Sequence, residues 1–153
     1  NRAERRHGKV GQGGLERAKA LAANVGMVAV AELTAQAVLT SAFLDSPEAG
    51  PLLDQMRATF CEIAPETYIA TSEACDDVDL GPDLPNISAQ TLVINGAFSA
   101  TSPVDTGPQG IGGRGIAEGV ENGRLVVIKG ARHLVMMERF NEVCDRIIDF
   151  LNE

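Results

Sequence analysis

The sequence predicts an α/β fold in which a helical front part is followed by a short parallel sheet. Three observations carry this. Up to residue 80, apolar side chains recur at helical spacing, interrupted only by Pro and Gly. Two short β-branched runs, Thr91-Leu92-Val93-Ile94 and Arg124-Leu125-Val126-Val127-Ile128, follow a Pro- and Gly-rich break at Gly81-Pro82-Asp83-Leu84-Pro85-Asn86. A helical stretch separates the two runs and another follows them. Strand, helix, strand, helix in that order makes a parallel unit.

In chain order, residues 14–23 place Leu15, Ala18, Leu21 and Ala22 on one helical face. Residues 27–40 are mostly apolar, with Val28, Ala31, Ala35 and Val38 at helical spacing, and predict a helix that is buried or lines a pocket. Met27, Val30, Leu33 and Phe43 suit core packing, the default for such stripes, as well as pocket lining. Pro47 and Gly50-Pro51 break the pattern. Leu53, Met56, Phe60 and Ile63 mark the next helix, over residues 52–63. Pro65 suits a first helical turn and opens a helix to Ala74. Behind the break, the two β-branched runs end at Asn95-Gly96 and Lys129-Gly130, and both read as fully buried strands. A Gly-rich loop and a short helix over residues 113–120 connect them. Phe140, Val143, Cys144, Ile147, Ile148 and Leu151 follow the i, i+3, i+4, i+7, i+8, i+11 pattern of a final helix. The expected division is a helical region over residues 1–82 and an α/β segment over residues 83–153.

Two parallel strands do not make a stable sheet alone. The chain therefore reads as the completing part of a larger sheet. Its missing strands are expected from an upstream segment, another polypeptide or a second copy. The absence of an initiator Met points the same way, to a processed or truncated chain.

Composition excludes several classes. With 13 basic against 21 acidic side chains the formal charge is −8, the wrong sign for gripping phosphates, so no nucleic acid partner is expected. Six aromatics and no Trp leave little to stack on bases. No uninterrupted apolar run reaches the length of a membrane span, and the N-terminus lacks a signal-peptide pattern. Cys61, Cys75 and Cys144 are odd in number and widely spaced, which predicts buried reduced thiols and a cytoplasmic location. Gly110-Ile111-Gly112-Gly113-Arg114-Gly115 matches G-x-G-x-x-G but does not directly follow a strand, so it reads as a flexible loop. Asp77, Asp79 and Asp83 lack the order of a calcium loop and read as a connection. His7 lies in a basic segment without partners nearby in sequence.

His133 is the most informative residue. It sits five positions after Ile128, in Gly130-Ala131-Arg132-His133. In a parallel sheet this loop lies at the carboxyl end of the strand, where ligands bind, and a histidine there can act as a general base. Its setting resembles the C-terminal part of an α/β-hydrolase. Thr91 to Gly96 is similar to the penultimate strand of that family. Arg124 to Ile128, with Gly130-Ala131-Arg132-His133-Leu134, is similar to its last strand and catalytic-histidine loop. Glu138-Arg139-Phe140-Asn141-Glu142-Val143, leading to Leu151, resembles the closing helix. The helical front part takes the place of the cap. Glu4-Arg5, Gly13-Gly14-Leu15, Pro65-Glu66-Thr67-Tyr68 and Ala74 to Leu80 resemble the cap of the 3-oxoadipate enol-lactonases and related small ester and lactone hydrolases.

The resemblance implies hydrolysis of a small carboxylic ester or lactone through a serine acyl-enzyme, with His133 as base and no metal or organic cofactor. Two departures stand out. No Gly-x-Ser-x-Gly nucleophile elbow occurs in the sequence, so nucleophile and oxyanion hole are expected from the missing N-terminal half, as an upstream segment or a second chain. The family position of the triad acid holds Ser99, and the nearest carboxylate in the loop is Asp105, six residues on. Arg132 stands where a small residue is common. The alternative is a non-catalytic relative that binds a ligand or partner on the same scaffold.

Overall fold

The computed structural model describes residues 9–76, 79–105 and 112–153, with side chains from residue 16 to 74 in the first stretch. His7, the Glu4-Arg5 pair, Asp77, the Gly110-Ile111 dipeptide and the side chains of Leu15 and Cys75 lie outside the described residues.

The described residues of the front part hold five helices: α1 Lys9–Asn24, α2 Met27–Val38, α3 Ser41–Leu44, α4 Ala49–Cys61 and α5 Pro65–Asp76. Gly26 turns the chain from α1 into α2 with φ +111°, a conformation open to glycine and costly for any residue with a Cβ. α1 packs on α2 and α5, and α2 packs on α4. Two apolar cores result. Ala18, Ala22, Met27 and Val30 gather with Phe60 and Tyr68, whose rings meet at 6.3 Å with a 48° tilt. Ala35, Val38 and Leu39 gather with Phe43, Leu53 and Met56. Leu134, from the loop that bears His133, packs into this second core. Leu39 is fully buried, so Leu39→Ala should lower stability by about 2–5 kcal/mol in a denaturant titration of the assembled protein, through lost transfer energy and a residual cavity.

Four expectations about this region change. The buried stripe of α2 runs through Met27, Val30, Ala31, Ala35 and Val38, and Val28 faces solvent. The apolar run does not continue as one helix past residue 38: Leu39 and Thr40 are extended, and the Thr40 hydroxyl accepts the Phe43 N–H at 3.3 Å to begin α3. Gly50-Pro51 does not break α4 but lies in its first turn, where the N–H that Pro lacks has no helical acceptor. Cys61, the last residue of α4, is exposed, and Cys144 is half-buried.

A 3₁₀ turn over Gly81–Asn86 leads to the sheet. β1 Thr91–Gly96 and β2 Gly123–Ile128 pair in parallel, from Thr91 opposite Gly123 to Gly96 opposite Ile128. The crossover helix α6 Gly113–Gly119 packs on both strands. After β2 come the short α7 Val135–Glu138 and the closing helix α8 Phe140–Leu151. Glu138 thus ends α7 rather than opening the closing helix, since Arg139 breaks the chain at φ −141° and ψ 48°. Ile128, Ala131, Val135 and Val143 form the third core, backed by Ile94 and Val126.

The strands are half-buried rather than fully buried, with Val127 at 38% exposure. On α8 only Val143 of the apolar stripe is buried, while Phe140, Ile147, Ile148 and Leu151 are exposed. Their spacing is that of a core-facing helix, and the described residues bring nothing to cover them. No described helix is long and apolar enough to cross a membrane.

Candidate functional site

The carboxyl ends of β1 and β2 carry two adjacent loops, and these loops make the site. Ala97 N–H donates to Ile128 C=O and Phe98 N–H to Ala131 C=O, both at 2.9 Å, so the loop after β1 is laced to the loop after β2. Asn95, buried at the end of β1, donates from Nδ2 to Ser102 C=O at 2.8 Å and fixes the far side of the first loop. Gly96 allows the closest approach. A Cβ on it would lie 1.8 Å from the Arg132 carbonyl oxygen, so no other residue fits without moving the His133 loop. Gly96→Ala should therefore cost about 1–3 kcal/mol in denaturant unfolding and displace His133, visible as a loss of the contact described next.

His133 is exposed, with its Nδ1 3.4 Å from the Oγ of Ser99, a buried side chain in the loop after β1. Ser102 N–H donates to the same Oγ at 3.1 Å. A hydroxyl accepts twice and donates once. One lone pair is taken by Ser102, which leaves the second lone pair and the proton for His133. With the ring proton on Nδ1, His133 donates to Oγ and keeps Nε2 free to accept a proton. In the opposite tautomer Ser99 donates to Nδ1, and Nε2 already carries a hydrogen. A carboxylate would allow only the first arrangement. A serine allows both, and it offers no negative charge to a protonated ring.

Asp105 is placed elsewhere. It is exposed, and its Oδ1 accepts from Arg114 Nε at 2.7 Å, a bond that raises the Arg114 pKa above its ordinary value. The structure therefore brings Ser99 to Nδ1 of His133 and gives the Asp105 carboxylate to Arg114. Gly112 and Gly113 of the Gly-rich segment stand at the start of α6, well separated from the end of β1 at Gly96, so they do not form a dinucleotide turn. Among the described residues no three His, Cys, Asp or Glu side chains converge as a metal would require.

One residue of the site was not visible from sequence. Glu138 is buried, and both of its carboxylate oxygens are engaged, one by Thr40 and one by the Arg132 N–H. Its only sequence signal is an acidic side chain closing the apolar run Val135-Met136-Met137.

No protein-family model matches the sequence, and no curated protein does. Solved structures do. The enol-lactonase from Burkholderia xenovorans is 27% identical, with a TM-score of 0.74 over 91% of this chain and 50% of that one. A hydrolase from Pseudomonas aeruginosa is 25% identical, with a TM-score of 0.74 over 93% of this chain and 50% of that one. A bromoperoxidase from Bacillus anthracis, at 21% identity, shares the fold with a TM-score of 0.75 over 91% of this chain and 48% of its own. The chain spans about half the length of the structures it matches. Helices followed by two parallel strands with a crossover helix, and a closing helix behind them, give this chain the architecture of the C-terminal part of an α/β-hydrolase.

Proposed function

We propose that this chain supplies the cap and the general base of an α/β-hydrolase that cleaves a small carboxylic ester or lactone through a serine acyl-enzyme. The observation that carries the reading is His133, on a loop at the carboxyl end of β2 with its Nδ1 held from the loop after β1. That is where a sheet of this kind presents its chemistry. The likeness to an enol-lactonase supports the substrate class. In this reading Nε2 of His133 takes the proton of a serine hydroxyl as that oxygen attacks the substrate carbonyl. The ring then returns the proton to the leaving oxygen, and the second half-reaction repeats the exchange with water. The nucleophile and oxyanion hole belong to the N-terminal half, joined upstream or as a second chain. The helical region over residues 1–82 is the cap, and the apolar face of α8 packs against the rest of the sheet.

The test is native and then denaturing mass spectrometry of the material isolated from its source, followed by labelling with a serine-directed fluorophosphonate probe. A longer chain or a second polypeptide that takes up the probe is the expected result. A chain that is isolated alone and unlabelled, with no hydrolysis of nitrophenyl esters, overturns the enzyme reading. A second reading is a non-catalytic relative that holds a ligand, and Ser99 at Nδ1 favours it because a hydroxyl cannot balance an imidazolium charge. It expects no probe labelling in the assembled protein together with a rise in melting temperature on adding a small carboxylic ligand.

A further inference from the structure

We propose that Glu138 is a positioning residue for His133, tying the histidine loop to the junction of α2 and α3 so that the helical region sets where the imidazole sits. The proposal rests on the role given to His133 above. A carboxylate as buried as Glu138 is tolerated only where its oxygens are satisfied, and here every partner is a donor. One oxygen accepts from the Thr40 N–H at 2.7 Å and from the Thr40 hydroxyl. The other accepts from the Arg132 N–H at 2.6 Å. Arg132 directly precedes His133, so one carboxylate spans from the helical region to the backbone beside the base.

Three further bonds close the same junction. The Arg132 guanidinium donates to Leu39 C=O at 3.3 Å and to Gln36 C=O, carbonyls at the end of α2 that have no helical donor of their own. Leu134 N–H donates to Val38 C=O at 3.1 Å. The residues on either side of His133 are thus both bonded into residues 36–40, while the His133 ring meets Ser99. Position is decisive for a general base, because about 1 Å of misplacement costs roughly 100-fold in rate. An amide cannot replace this carboxylate. Whichever way Glu138→Gln is turned, its NH₂ faces either the Thr40 N–H or the Arg132 N–H, and one end of the tie is lost.

The experiment uses the assembled hydrolase with Glu138→Gln, Thr40→Ala, Thr40→Ser and His133→Ala. It measures ester hydrolysis and, independently, the imidazole signals of His133 by nitrogen-edited NMR. The chain has only one other histidine, and His133→Ala assigns the signals. Glu138→Gln is expected to lower kcat about 10- to 100-fold with KM little changed, and to broaden or double the His133 ring signals. Thr40→Ala, which keeps the backbone donor, should show a smaller effect of the same kind, and Thr40→Ser none. Unchanged ring signals and kcat in folded Glu138→Gln overturn the proposal. If Glu138→Gln does not fold, the ring signals of Thr40→Ala decide, and signals identical to those of the parent overturn it. If His133→Ala leaves hydrolysis intact, the hydrolase reading fails. The ring signals of Glu138→Gln then still decide the tie itself.

Discussion

On the proposed function, Ser99→Asp is expected to raise the turnover of the assembled protein by about 10²- to 10⁴-fold, because loss of a triad carboxylate costs about 10⁴ in well-studied serine hydrolases. The geometry accommodates the change. Ser99 Oγ stands 3.4 Å from Nδ1, longer than a charge-assisted bond, and a carboxylate reaches further than a hydroxyl by about one bond length. One new oxygen would meet the Nδ1 proton. The other is available to the Ser102 N–H that Ser99 now accepts. The carboxylate fixes the productive tautomer and balances the charge that appears on the ring when Nε2 takes its proton. Ser99→Asn is the control, since it has the size and lacks the charge. Turnover in Ser99→Asp no higher than in Ser99→Asn would show that position 99 does not act as the acid.

His133→Ala should lower turnover by about 10²-fold in the unmodified protein and by more than 10⁴-fold in a Ser99→Asp background. The difference follows from how triad members act as a unit. Removing the base alone costs about as much as removing all three members, near 10⁶, whereas removing the acid alone costs about 10⁴. On the proposed function serine stands in place of the acid, so the unmodified protein has little left to lose. Kinetics of the four variants, unmodified, each single and the double, give the coupling directly. Equal losses in the two backgrounds would separate position 99 from His133 and leave the base with a different partner.

The elements around the site were legible to different degrees, for physical reasons. β1 and β2 were plain because a run such as Leu125-Val126-Val127-Ile128 has no other good use than a sheet. α8 was plain because its stripe keeps helical phase over its whole length, although most of that stripe is uncovered among the described residues. The break at Leu39-Thr40 falls at the end of the mostly apolar stretch over residues 27–40. Thr40 is a weak helix former and a good N-cap, but the pattern alone does not end the helix at Val38. What stops it is Glu138, 98 positions away, which takes the Thr40 N–H and hydroxyl. Glu138 read only as part of the closing helix, and nothing in its sequence setting marks its burial. The approach of position 99 to His133 was legible only through resemblance to a family, because no periodicity links residues 34 apart on two loops. Asp105 was the natural substitute by residue type, and Arg114, nine positions on, is where its carboxylate went.

The contact of Gly96 with the Arg132 carbonyl has a consequence for how such a protein changes over generations. At Gly96 the end of β1 and the His133 loop touch backbone to backbone, with no side chain between them to yield. An insertion, deletion or bulkier residue in one loop is transmitted whole to the other. Neutral drift in either loop is therefore confined to changes that the other has already made room for. A laboratory selection that randomises residues 97–102 and 130–134 separately should recover far fewer active clones than one that varies them together, with strongly non-additive effects between the two sets.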